Sequence, residues 1–309
     1  MEKEKIDQIK KLQKEKDVVI LAHYYVDGEV QEIADYVGDS FYLSKIATSV
    51  PQQTILFAGV GFMGESAKLL NPKKTVLMVD ECADCPMAHM VTREQIAEVR
   101  VQYEDLSVVC YVNSTAEIKA VSDVCVTSSN AVKVVSNIKE KNIFFVPDNN
   151  LGRYVAEKLP EKNFIFHDGF CHVHTSIEEE NVRAAKELHP DALILTHPEC
   201  TKEVIALSDF VGSTSEIIEF ATKSSHTKFI ICTEMGVFFE LQQRNPQKKF
   251  YSVGHRQFCP NMKRVTADKA LDVLTKLGTD QMDEKRIELS DEIMERAAVP
   301  LWRMLALAK

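Results

Sequence analysis

The sequence predicts an α/β fold of three pseudo-symmetric, three-layer α/β/α domains, each with a short parallel sheet, set around a common centre. Three observations predict it. Short runs of Val, Ile and Phe alternate with helical patterns along all 309 residues, as in parallel sheets covered by helices on both faces. Three marks recur in one order at intervals of 86 to 88 residues. They are His23 with Tyr25, Tyr111 with Asn113, and His197 with Glu199; then Ser40, Ser128 and Thr214; then Cys85, Cys171 and Cys259. Each hydroxyl stands five residues after an aspartate, in ADYVGDS, SDVCVTS and SDFVGST. The repeat favours three small units over one long doubly wound sheet, because three units can close around one point and bring equivalent residues together there.

The elements follow in order. The first unit offers strands at DVVILAHYY (17–25), DYVGDS (35–40), TILFAG (54–59) and TVLMVD (75–80). The second offers SVVCYVN (107–113), DVCVTS (123–128), NIFFVPD (142–148) and NFIFHDG (163–169). The third offers ALILTHP (192–198), DFVGST (209–214), KFIICTE (228–234) and KFYSVG (249–254). These runs read as buried on both faces, separated by helices such as GFMGESAKLLN, NAVKVVSNIKE and IEEENVRAAKELH. Boundaries are expected near residues 86 and 172, giving domains 1–86, 87–172 and 173–309. The last includes a C-terminal helix whose stripe of Leu301, Trp302, Met304, Leu305 and Leu307 should dock on the core, with the N-terminal helix as its candidate partner and no catalytic role.

Composition narrows the function. Hydrophobic content of 45% and charged content of 27% are ordinary for a soluble globular chain. A net charge of −9 argues against a nucleic-acid or anionic-membrane surface. The opening MEKEKIDQIKKLQKEK lacks the apolar centre of a signal peptide, and no run approaches the roughly 18 apolar residues of a membrane span. A cytoplasmic location is expected.

In a reducing compartment eight cysteines are not a disulfide framework. Cys110, Cys125 and Cys232 sit in apolar runs and read as small buried hydrophobes. Cys85, Cys171 and Cys259 differ, lying in polar stretches after strands. Cys82-x-x-Cys85 could be half of a zinc site, but no second CxxC matches it, so Cys82 is assigned a structural role. Three distant thiolates, one per unit, suit an iron–sulfur cluster in which one iron lacks protein sulfur and is free to act as a Lewis acid.

The other marks sit at strand ends, where parallel α/β units bind ligands. Ser40, Ser128 and Thr214 each precede a helix and could cap it. Three such helix starts facing one centre would also hold phosphate or carboxylate, and Ser213 beside Thr214 joins these candidates. Tyr25 and Glu199 read as acid and base, with His23 and His197 donating to carboxylate or carbonyl oxygens. His174, three residues after Cys171, either lies near the cluster or caps a turn.

Taken together, the motifs resemble the quinolinate synthase family, the A protein of bacterial and plastid de novo NAD synthesis. LAHYY, GDS, FAGVGFMGESAK and CPMAHM carry the resemblance first, followed by YVNSTAEIKA, VTSSNAV, PDNNLGRYVA and GFCHVH, then HPEC, VGSTSEII and FCPNMK. They run along essentially the whole chain. The resemblance implies three α/β/α domains around a [4Fe–4S] cluster bound by Cys85, Cys171 and Cys259. It implies condensation of iminoaspartate with dihydroxyacetone phosphate to quinolinate, with release of phosphate and water and no net redox change. By position it implies substrate contacts from His23, Ser40, Tyr111, Asn113, Ser128, His197, Glu199 and Thr214, with Tyr25 as a catalytic phenol. A transient contact with the iminoaspartate-producing enzyme belongs to the same expectation. Some members carry a CxxC redox pair near the last ligand, but Cys259 stands alone in FCPNMK, so no thiol switch is expected there. An iron–sulfur reductase acting on hydroxymethylbutenyl diphosphate shares the plan but matches these motifs less well. A non-enzymatic iron–sulfur sensor or carrier would need a partner surface that the sequence does not display.

Overall fold

The computed structural model describes residues 3–254, 257–279 and 284–309. Its strands form three parallel sheets of four. The first holds β1 (Val18–His23), β2 (Tyr36–Gly38), β3 (Thr54–Ala58) and β4 (Thr75–Met78). The second holds β5 (Leu106–Tyr111), β6 (Val124–Val126), β7 (Asn142–Val146) and β8 (Asn163–Phe166). The third holds β9 (Leu193–Thr196), β10 (Phe210–Val211), β11 (Lys228–Cys232) and β12 (Lys249–Ser252). Every strand falls inside its predicted run except β5, which starts one residue early. All three sheets share one order, with the second strand outside the first, then the third and fourth: β2-β1-β3-β4, β6-β5-β7-β8 and β10-β9-β11-β12.

The repeat extends to the register. Leu21 pairs with Tyr36, Val109 with Val124 and Leu195 with Phe210, an offset of 15 each time. The aspartates that precede the three hydroxyls explain that offset. Asp35, Asp123 and Asp209 each accept the backbone N–H of the residue 15 before them, Ile20, Val108 and Ile194, at 2.7–2.8 Å. A carboxylate thus staples each edge strand to its neighbour and satisfies a buried amide. Lysines repeat too. Lys74, Lys162 and Lys248 each donate to carbonyls at or just beyond a helix C-terminus, where cations are favoured.

Three expectations need correction. The strands are not all buried on both faces: β8, β10 and β12 have no buried residue, because edge strands are covered on fewer sides. In the second unit the helix spans only Ala131–Ser136 of the expected NAVKVVSNIKE. The C-terminal helix Asp291–Leu307 packs on the helices Gly61–Leu70 and Ala116–Lys119 and on β6, while the N-terminal helix Lys3–Glu15 packs on Ala267–Lys276. Ala297, Leu301 and Met304 are buried there, and Trp302 is 48% exposed, since at helical spacing it falls off the buried stripe.

One apolar core runs through the first and second units, while the third sheet has a separate cluster on each face. The third unit is keyed to the first by polar and close backbone contacts. Gln31 Nε2 donates to the Gly236 carbonyl at 3.0 Å. A Cβ on Gly236 would meet the Tyr24 oxygen and the Tyr25 backbone at 2.7 Å, so only glycine allows this approach.

Candidate active site

The shared strand order places β1, β5 and β9 beside the point where the chain reverses direction across the sheet, the position at which open α/β sheets bind ligands. The residues at and just after these strand ends therefore face outward into the space between units. They meet in one cavity. His23, Tyr25, Tyr111, Asn113, His197 and Glu199 line it, as do Ser40, Ser128, Thr214, His174, Cys85, Cys171 and Cys259.

His23 and His197 are oriented alike. Nδ1 of each accepts the backbone N–H two residues on, from Tyr25 at 3.2 Å and from Glu199 at 3.3 Å. That bond leaves the ring proton on Nε2, so a neutral imidazole presents one donor to the cavity. Burial lowers His23 to about 3 against the opposing pull of Glu199. Burial, with help from His174, lowers His197 to about 3. The sign for stability follows directly. Between pH 6.5 and 3 the unfolded chain takes up protons that these folded histidines refuse, so each contributes a loss of stability as the pH falls. We expect the stability lost between pH 7 and 5 to shrink by on the order of 1 to 2 kcal/mol in His197→Gln. Denaturant unfolding at both pH values measures it, and an unchanged loss would refute the assignment.

Tyr25 bridges units. Its phenol lies 2.7 Å from Thr214 Oγ1 and 2.9 Å from Thr233 Oγ1, while Lys263 Nζ donates to its carbonyl at 2.8 Å. Thr233 Oγ1 in turn meets His174 Nε2 at 2.9 Å, and His174 Nδ1 lies 2.6 Å from Glu199 Oε2. A continuous chain of polar atoms thus links Tyr25 to Glu199. Burial raises both Tyr25 and Tyr111, and Glu199 adds to each, so both phenols keep their protons. Burial would raise Glu199, but His174 outweighs it and holds the carboxyl at about 2. Asn113 Oδ1 is buried and has no hydrogen-bond partner among the described residues.

The three thiols crowd one another. Burial and Cys259 push Cys85 up to about 12. Burial, Glu199 and Cys85 push Cys171 well above the usual thiol range, and burial raises Cys259. Without a cation such a group stays protonated, whereas a bound metal deprotonates it outright. Each of the three cysteine loops is pinned by a carboxylate that accepts the cysteine N–H: Asp84 for Cys85 at 2.7 Å, Asp148 for Cys171 at 3.1 Å and Glu234 for Cys259 at 3.0 Å.

Some predicted residues take other roles. Ser40 and Thr214 do not cap their helices. Asp39 and Ser213 do, the latter in a capping box with Glu216, which leaves the Thr214 hydroxyl free for Tyr25. Ser128 lies in the turn before a helix whose N-cap position is Asn130, the side chain of which accepts the Thr127 N–H instead of capping. Ser213, predicted as a substrate contact, is fully buried and outside the cavity lining because its hydroxyl receives the Glu216 N–H. His174 is no mere turn cap, since its Nδ1 is 3.2 Å from Cys171 Sγ. Cys82, assigned a structural role, is exposed. Cys110, Cys125 and Cys232 are fully buried.

Sequence reasoning missed Thr233, Asp148, Glu234 and Lys263. The repeat itself could have found two of them, because Asp148 and Glu234 stand 86 residues apart after β7 and β11. The first unit carries Val60 at the corresponding place. Lys263 links the Cys259 loop to the first unit, reaching Asp27 and Glu234 at 3.2 Å.

Residues 7–306 match the quinolinate synthetase A protein family. The chain belongs to that family. It is 55% identical to a quinolinate synthase of Fusobacterium nucleatum subsp. nucleatum, over 98% of this chain and 99% of the relative. Identity is 50% to the quinolinate synthase of Caldicellulosiruptor bescii, over 97% of each chain. It is 48% to that of Clostridioides difficile, over the whole of both. Membership of the quinolinate synthetase A family makes the chain an enzyme, and the three four-stranded sheets are consistent with that family's three-domain fold. No helix among the described residues is long and apolar enough to cross a membrane.

Proposed function

We infer that the chain is a quinolinate synthase of de novo NAD biosynthesis, condensing iminoaspartate with dihydroxyacetone phosphate. The observation that carries this reading is the convergence of three thiols and three sets of polar strand ends on one cavity, in a chain of this family. Cys85, Cys171 and Cys259 would hold a [4Fe–4S] cluster. Their chemistry fits it: three partly buried thiols, whose negative charges would raise one another's cost around Cys85, need a cationic group to become thiolates together. When bound, such a cluster supplies an open iron that acts as a Lewis acid.

The remaining steps belong to side chains. His23 and His197 present Nε2 protons to substrate carboxylate or carbonyl oxygens. The orphaned Asn113 Oδ1 accepts from a substrate N–H or O–H, which removes the cost of burying it unpaired. Ser40, Ser128 and Thr214, beside helix starts, hold the phosphate first and carboxylates later. Glu199, kept ionised by His174, takes protons from substrate carbon and nitrogen through isomerisation and imine formation. Tyr25, kept protonated by burial, gives protons to departing oxygens. Glu199 is buried and Tyr25 partly so, and pre-placed groups act more strongly there than in water.

Cluster-loaded protein given both substrates anaerobically should accumulate quinolinate, followed by its absorbance. Intact cluster with no quinolinate would overturn the reading. Within it, Thr233 positions Tyr25 and His174. Thr233→Val preserves shape but removes the hydroxyl, leaving His174 Nε2 without this partner and the Tyr25 phenol with Thr214 alone, at a cost of about 1–3 kcal/mol. We expect kcat to fall about tenfold or more with KM little changed, and Thr233→Ser to restore it. Steady-state kinetics on the three proteins settles the role, and a purely KM effect would contradict it.

A further inference from the structure

We propose that the chain, before its cluster is installed, carries a mononuclear metal site at Cys171, His174 and Glu199 that is fitted to zinc. Cys171 stands just before a one-turn helix, His172–Thr175, that carries His174, and the three-residue spacing sets the two side chains beside each other. Glu199 reaches the same point from the loop after β9. One donor atom from each of the three lies within 4.8 Å of the others. His174 Nδ1 is 3.2 Å from Cys171 Sγ and 2.6 Å from Glu199 Oε2. Tetrahedral zinc would set sulfur and nitrogen about 3.5 Å apart and nitrogen and oxygen about 3.3 Å apart. Lengthening these two distances by less than about 1 Å therefore brings both to the values that zinc takes.

The surroundings are those of a ligand set. The far nitrogen of His174 meets Thr233 Oγ1 at 2.9 Å, the outer contact that fixes the ring of a metal-bound histidine. Asp148 holds the Cys171 amide at 3.1 Å. His174 and Glu199 are 1% and 2% exposed, so charge must balance inside the site. Binding replaces two protons with the ion, that of the Cys171 thiol and that held between His174 Nδ1 and Glu199 Oε2, both released to solvent. Thiolate, carboxylate and zinc(II) then sum to zero, which avoids an uncompensated buried charge. A thiolate, an imidazole and a carboxylate with one open position are the donors of an open zinc site.

Every copy passes through the cluster-free state between synthesis and maturation. Zinc bound then would occupy Cys171 and exclude the cluster until removed. The site itself is independent of the functional reading above, whereas this exclusion rests on Cys171 being a cluster ligand.

The test uses the full-length chain prepared anaerobically without cluster and titrated with cobalt(II), a coloured probe for zinc sites. One equivalent should bind with tetrahedral visible bands and a thiolate charge-transfer band, and zinc should displace it. Affinity should fall about tenfold or more in His174→Ala, Glu199→Gln and Thr233→Val, and Cys171→Ser should abolish the charge-transfer band. Cys85→Ser and Cys259→Ser should bind as the parent does. Far-ultraviolet circular dichroism checks folding, and Thr233→Val keeps the comparison open should His174→Ala misfold. Absence of binding would overturn the proposal. So would equal weakening by Cys85→Ser or Cys259→Ser, which would place the ion in the three-cysteine ring. Reconstitution with iron and sulfide should be blocked by one equivalent of zinc and restored by a chelator. An unaffected rate would overturn the exclusion, while quinolinate formation by the reconstituted enzyme tests the functional reading separately.

Discussion

Glu199→Gln is expected to lower kcat by about 10²–10⁴-fold, the usual worth of a positioned general acid or base, while the cluster stays in place. The substitution is nearly isosteric at a site only 2% exposed, so packing should survive. Its chemistry does not. The carboxylate is an acceptor beside His174 Nδ1 at 2.6 Å and is bonded to the Tyr111 phenol. Glutamine keeps one acceptor oxygen but cannot take a proton, and its amide turns a donor toward one of these partners. Steady-state kinetics with the iron–sulfur absorbance as a control measures the effect. Lost substrate binding with an unchanged single-turnover rate would sink the acid–base role and leave the binding site standing.

Cys171→Ala should abolish cluster and activity together. The loop carrying Cys171 has no other thiol, so no local sulfur can take over. Iron and sulfide content, visible absorbance and quinolinate formation should all fall to background under anaerobic conditions. Cys82→Ala and Cys110→Ala provide the contrast. The first thiol is exposed and the second is buried in β5, and neither lines the cavity. Both variants should keep their iron. Retention of cluster and turnover in Cys171→Ala would defeat the three-cysteine assignment.

The sequence showed the architecture plainly because the repeat multiplies weak signals. A two-residue strand such as Phe210–Val211 is unreadable alone, but Asp209 and Thr214 mark it through their equivalents in the other units. The same device worked less well for capping. Asp39 caps the first unit's helix, Asn130 holds the N-cap position of the second's without a side-chain cap bond, and Ser213 caps the third's. Each hydroxyl was therefore expected one step or more away from its real task. Thr233 was invisible for another reason. Its importance lies wholly in its neighbours, Tyr25 from the first unit and His174 from the loop after β8, and no pattern along the chain announces a contact across 59 and 208 residues.

By itself, the sequence determined the three-unit α/β plan, the strand ends that carry chemistry and the three thiols that face them. Those follow from local periodicity and from a repeat that can be counted. Only the tertiary structure decided the electrostatic state of each group. His23 and His197 are neutral donors, Glu199 is an ionised acceptor and Tyr25 is a protonated phenol because of burial and of partners brought from other units. Desolvation and charge pairing depend on distances in space, and those exist only once the three sheets have closed around one cavity.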